Sequence, residues 1–174
     1  MVEHFVASVA AKAAVAARDP SADRDTEDAV QHVMDGFSQL SVHPDVVDGI
    51  RTLAESGFRL VTLSNGSTSV AEELFDRAGI RGHFEALLSV EDAPLWKPAA
   101  AAYGHVLQRC QVQARDAMLV AVHPWDIDGA SRAGLATAWI DRAGAPYPDY
   151  FEAPDLHVPS LTALATELGS GRDG

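Results

Sequence analysis

Basic residues are scarce in this chain. Thirteen lysines and arginines stand against 25 aspartates and glutamates, a formal net charge of −12 over 174 residues with histidine neutral. Such a surface repels phosphate at long range, which argues against nucleic acid or an anionic membrane as partner. It leaves room for a small anionic substrate, which needs only a local positive pocket. Cysteine is almost absent: Cys110 alone allows neither an intramolecular disulfide nor a thiolate metal cluster. Beside Val106 and Leu107 it reads as a small core or boundary residue, and a reducing, cytoplasmic setting is expected. Long apolar runs are missing as well. The alanine-rich stretch 7–17 carries Lys12 and is too short to span a bilayer, and residues 1–5 lack the basic start of a signal peptide.

What is present suits one globular domain: 47% hydrophobic residues and a mean hydropathy of −0.02 give enough apolar material for a core. Residues 2–18 are alanine-rich and predict a helix ended by Pro20, and the acidic start at 23–28 predicts a second helix to residue 39. From Val42 the pattern changes to alternating helices and short apolar strands. Helices are expected over about 44–56, 68–78, 98–109, 125–133 and 161–168. Strands are expected at 58–63, 86–89, 117–122, 135–140 and 156–158. The proline-rich stretch 142–154 is a loop, and 169–174 is expected to be a loose tail. The expected architecture is α/β: a Rossmann-like parallel sheet core over 42–174, preceded by a helical segment over 1–41.

Ligands of such sheets bind beyond the carboxyl ends of the strands, so residues following apolar runs carry the most information. Ser64-Asn65-Gly66-Ser67 follows the first run and leads into a helix, a turn that presents N–H groups and a hydroxyl to an anion or simply caps the helix. Lys97 precedes Pro98 at a helix start and pairs with a carboxylate or faces solvent; Tyr103, six residues on, reaches back toward it or packs. His123-Pro124-Trp125-Asp126 follows the most apolar run. There His123 is a donor, a base or a turn residue, Trp125 a pocket wall or structural aromatic, and Asp126 a reactive carboxylate or a cap. Asp128 is expected to point away to solvent.

The order of these three sites after successive strands resembles the haloacid dehalogenase superfamily, in particular its type II 2-haloacid dehalogenase-like branch. The resemblance rests on Leu63-Ser64-Asn65-Gly66-Ser67, on Lys97-Pro98 with Tyr103, and on Trp125-Asp126 with Gly129-Ala130. It extends to 145–148 and 159–161 and covers about residues 42–168, with the preceding helical segment similar to an incomplete cap domain. It implies attack by an aspartate at the end of a first strand on the carbon bearing halogen, giving an aspartyl ester that water hydrolyses. It also implies roles. Ser64 would hold the substrate carboxylate or order the nucleophile, and Asn65 would lie near the leaving halide. Lys97 would keep the nucleophile ionised, Tyr103 would orient Lys97, and Asp126 would position or activate water. A homodimer is compatible with the branch.

The chain departs from that pattern in three places. No aspartate follows an apolar run before Ser64, so the first strand and its nucleophile are missing, and a cap-entry arginine has no match. Little or no turnover is therefore expected of the chain as written, with Met1 not the natural start or the gene truncated. His123 stands where some dehalogenases have asparagine. Ala121 stands where metal-dependent phosphatase relatives carry an acid, which favours dehalogenase-like over phosphatase-type chemistry and implies no metal and no other cofactor. The alternative reading is a non-catalytic module that binds an anion or a partner.

Overall fold

The computed structural model describes residues 27–30, 32 and 40–170. The expected helix over 2–18, most of that over 23–39 and the end of the tail at 171–174 lie outside these residues; 27–30 and 32 are helical. The chain then runs α1 (Val46–Glu55), β1 (Leu60–Ser64), α2 (Thr68–Arg77), β2 (Phe84–Ser89), α3 (Ala100–Cys110), β3 (Met118–Ala121), α4 (Pro124–Arg132), β4 (Ala136–Ile140), β5 (Leu156–Val158) and α5 (Leu161–Ser170). The alternation is the α/β pattern expected, and all pairings are parallel. The last helix differs from expectation: it continues through Gly169 and Ser170, where the sequence predicts a loose tail.

Local chemistry sets the boundaries. Gly57 and Gly79, at φ 83° and 68°, stop α1 and α2 in the left-handed conformation that glycine adopts without steric cost. Ser67 caps α2 by accepting the Ser69 N–H. Pro124 sits in the first turn of α4, where its missing N–H costs no intrahelical bond.

The strands form two separate parallel groups among the described residues, β1–β2 and β3–β4–β5. One apolar core serves both. Ile50 and Leu53 of α1, Leu161, Leu164 and Ala165 of α5, and Ala138, Ile140 and Val158 of the second group are buried together with Ile80. Leu60 and Phe84 from the first group and Phe75 from α2 pack against this core, the two phenylalanine rings stacked 4.7 Å apart. Helices α1 and α5 touch so closely that a Cβ on Gly49 would lie 2.8 Å from Leu161 Cγ. Asp45 fastens the same junction. Its carboxylate accepts the Leu161 N–H at 2.7 Å and two Arg142 guanidinium bonds at 2.8 and 3.2 Å.

Between the facing edges of β1 and β3 lies a cleft of about 800 Å³, lined by residues 60–63 on one wall and 118–120 on the other. Val120 is 38% exposed, and Val122, just past β3, is 46% exposed. A strand as apolar as 117–122 is expected to have both faces covered; here part of its side faces open space.

Candidate active site

Lys97, Tyr103 and Asp126 line one end of this cleft, the end toward which β1 and β3 run. The sequence reaches that arrangement through three turns. After β1, Ser64 Oγ accepts the Gly66 N–H at 2.9 Å and keeps its own hydrogen to donate. Before α3, the Lys97 N–H donates to Asn65 Oδ1 at 3.1 Å while Asn65 Nδ2 donates to the Lys97 carbonyl at 3.3 Å. The carboxamide of Asn65 thus grips the backbone of Lys97 from both sides. After β3, Asp126 enters the first turn of α4, where the helix dipole favours a carboxylate.

Lys97 Nζ donates to Asp126 Oδ2 at 2.6 Å, with the two side chains 8% and 6% exposed. The Tyr103 hydroxyl donates to Asp126 Oδ1, also at 2.6 Å, and lies 3.2 Å from the Asp126 carbonyl. Both carboxylate oxygens are satisfied, which is what a charge at this depth requires. Burial and the hydrogen bond to Asp126 push the Tyr103 phenol well above its ordinary value, so it remains a neutral donor rather than a base. The Trp125 ring centroid lies 5.7 Å from Lys97 Nζ, and the His123 ring 5.5 Å from that of Trp125.

Asn65, Lys97, Tyr103, Asp126, Trp125 and His123 therefore form one connected cluster. Ser64 stands beside it at the end of β1, with its hydrogen bond to Gly66 and none to Lys97 or Asp126. Two placements differ from the roles that the resemblance implies. Tyr103 contacts Lys97 only through their shared carboxylate, and Asn65 spends its amide on the Lys97 backbone. Asp128 also departs from expectation: it is not turned to solvent but 14% exposed, paired with Arg132 at 2.8 Å and accepting the Glu152 N–H at 3.1 Å.

Sequence reasoning missed the support beneath the cluster. Gly129 lies against Pro98 and Tyr103; a Cβ there would sit 2.7 Å from the Tyr103 hydroxyl oxygen and 2.9 Å from the Pro98 carbonyl. Its signal was available, since position i+3 from Asp126 shares that residue's helix face. The loop over 142–154 also contributes. Tyr147 packs edge-on against Trp139 and donates from its hydroxyl to the Glu152 carbonyl, within 3.3 Å of the Pro124 carbonyl. Trp139 Nε1 donates to the Val122 carbonyl. These long-range bonds hold the turn that delivers Asp126, and no local pattern announces them. Among the described residues no group of three or more His, Cys, Asp or Glu side chains is placed to hold a metal, and no helix is long and apolar enough to cross a membrane.

Residues 3–134 match the family model described as haloacid dehalogenase-like hydrolase. The chain belongs to the haloacid dehalogenase-like hydrolases. Among relatives of this chain, haloacetate dehalogenase H-2 of Moraxella sp. (strain B) is 31% identical over 138 residues, 79% of this chain and 62% of the relative. The (S)-2-haloacid dehalogenase of Pseudomonas sp. (strain YL) is 32% identical over 130 residues, 75% and 56% of the two chains. The chain thus spans less than two thirds of these relatives' length. The structure of L-2-haloacid dehalogenase from Xanthobacter autotrophicus with chloropropionic acid covalently bound superposes with a TM-score of 0.69 at 25% identity, covering 86% of this chain and 67% of that one.

Proposed function

We propose that the site is of the 2-haloacid dehalogenase type, built to receive the carboxylate of a small 2-haloacid and to support displacement of its halide through an aspartyl ester. The observation that carries the reading is the buried Lys97–Asp126–Tyr103 cluster at the carboxyl ends of parallel strands, with the Ser64 hydroxyl beside it. The relatives named above are dehalogenases of haloacetate and 2-haloacids, which supports that substrate class. In this reading the Ser64 hydroxyl donates to the substrate carboxylate, Lys97 offsets negative charge, and Asp126 with Tyr103 holds the ammonium in place. Asn65 fixes the Lys97 backbone, and Trp125 and His123 wall the mouth. A cytoplasmic setting fits the single free thiol.

The 174 residues place no aspartate at the end of an apolar run before Ser64, so these residues alone are proposed to bind a 2-haloacid and to release little halide. Calorimetry with 2-chloropropionate, paired with a halide-release assay, tests both parts. The expected outcome is saturable binding that Ser64→Ala weakens, with halide release at background. Absence of binding by the folded chain overturns the substrate class. Robust release abolished by Lys97→Ala overturns the missing-nucleophile part.

A further inference from the structure

The chain between β4 and β5 runs from 141 to 155 without helix or strand, longer than most connections in a compact domain. It is tied down nonetheless. The Asp141 carboxylate accepts the Ala143 and Ala145 N–H groups at 3.1 and 3.2 Å on one oxygen, and His157 Nε2 lies 3.4 Å from the other. At the far end Asp155 Oδ2 accepts the Thr137 N–H at 2.8 Å. With both ends fixed, the middle of the loop has little freedom left to lose when it packs.

That middle lies against the turn that carries Asp126. Trp139 of β4, 4% exposed, is the hub. Its indole N–H donates to the Val122 carbonyl at 3.0 Å, the Tyr147 ring meets it edge-on at 4.9 Å, and the His157 ring lies 4.5 Å from it. The Tyr147 hydroxyl has one hydrogen and two carbonyls in reach: Glu152 in the loop at 2.9 Å, and Pro124 at the start of α4 at 3.3 Å. The Glu152 N–H donates to Asp128 Oδ1 at 3.1 Å. The loop and its hub thus hold the start of α4 at Val122, Pro124 and Asp128, on either side of Asp126 in the chain. The Asp126 carboxylate itself is held by Lys97 and Tyr103, so an effect of Tyr147 on that carboxylate passes through the turn.

We propose that Tyr147 is a positioning residue of the candidate active site. It braces the turn 122–126 from outside and so sets where the Asp126 carboxylate meets the Lys97 ammonium. A small displacement matters there, because both side chains are buried and their charge-assisted bond, at 2.6 Å, is short. The effect on haloacid binding rests on the proposed function; the bracing of Asp126 does not. Tyr150 supplies an internal control, since it lies in the same loop, is 78% exposed and stacks on Phe151.

The test follows the intact chain by NMR, isotope-labelled at its aspartate carboxyl carbons, the Asp126 signal being the one that Asp126→Asn removes. Tyr147→Phe deletes the hydroxyl and keeps the ring, and Tyr147→Leu deletes both. The expected result is that Tyr147→Phe moves the Asp126 signal, that Tyr147→Leu moves it further in the same direction, and that Tyr150→Phe leaves it in place. In calorimetry Tyr147→Phe is expected to weaken 2-chloropropionate binding about threefold or more, the size of one net hydrogen bond, while Tyr150→Phe binds as the parent does. An Asp126 signal that stays put in folded Tyr147→Phe overturns the proposal, and so does an equal displacement by Tyr150→Phe. Parent-level affinity in a Tyr147 variant whose signal has moved overturns the binding part. If the parent fails to bind 2-chloropropionate while the signals move as expected, the positioning role is supported and the substrate class proposed above is what fails.

Discussion

Gly129→Ala and Gly104→Ala are the same chemical change at two helical positions, and the structure assigns them opposite signs. In an open helix the replacement adds about 0.8–1.0 kcal/mol of stability, because alanine loses less backbone entropy. Gly104, in α3, has nothing within 4 Å of where its Cβ would lie, so Gly104→Ala keeps most of that gain. Gly129 has Pro98 Cβ at 2.6 Å, the Tyr103 hydroxyl oxygen at 2.7 Å and the Pro98 carbonyl at 2.9 Å from the same point. None of these is the loose end of a flexible chain: Tyr103 is 1% exposed, and its hydroxyl is committed to Asp126 at 2.6 Å. Overpacking of this kind costs about 1–3 kcal/mol, and losing a hydrogen bond to a charged group costs about 1.5–3 kcal/mol more. After the helix-propensity gain, Gly129→Ala is expected to destabilise the chain by about 1.5–5 kcal/mol. Urea unfolding followed by circular dichroism measures both variants, and Tyr103→Phe in the Gly129→Ala background separates the two costs. Removing the hydroxyl relieves the clash with Tyr103 and leaves those with Pro98, so the two substitutions should be less than additive while part of the overpacking cost remains. A Gly129→Ala variant as stable as the parent, or one indistinguishable from Gly104→Ala, refutes the claim that close approach at Gly129 supports the Tyr103–Asp126 contact.

Two further outcomes follow from the ion pairs. Lys97→Met leaves the Asp126 carboxylate, 6% exposed, without its cation and is expected to cost about 3–5 kcal/mol at neutral pH. The double variant Lys97→Met/Asp126→Asn should recover much of that loss, and a double variant no more stable than the single one contradicts the pair's assignment. For Asp45, burial alone would raise the carboxyl, but the Arg142 bonds and charge and the Leu161 N–H outweigh it and hold it below its ordinary value of 3.8. A lowered value in the folded state means stability that is present above pH 3.8 and disappears as pH falls through the folded value. Asp45→Asn should therefore be about 1–2 kcal/mol less stable than the parent at pH 7, with the gap closing toward pH 3. Urea midpoints at the two pH values decide it, and a constant gap sinks the argument.

The strands and most helix ends were legible because local physics sets them. Apolar runs such as 117–122 and 135–140 mark strands whatever surrounds them, and Gly57 and Gly79 stop helices through their own backbone freedom. The site residues were legible as a set because they follow successive strands, and a parallel sheet brings carboxyl ends together. Their bonding was not legible. That Tyr103 serves Asp126 rather than Lys97 depends on how α3 meets α4, which Gly129 permits and no local pattern near Tyr103 specifies. Asp128 escaped for the same reason, since the partner that draws it inward, the Glu152 N–H, sits 24 residues away in an irregular loop.

The sequence by itself determined the α/β alternation, the family, and the residue types gathered at the carboxyl ends of the strands. Short-range propensity and the order of motifs suffice for each. Only the tertiary structure decided that Asn65 grips the backbone of Lys97, that Lys97 and Tyr103 divide one buried carboxylate between them, and that β1 and β3 face each other across an open cleft. Those outcomes depend on segments tens of residues apart competing for the same few ångströms of space, a competition settled by packing and desolvation rather than by any stretch of chain alone.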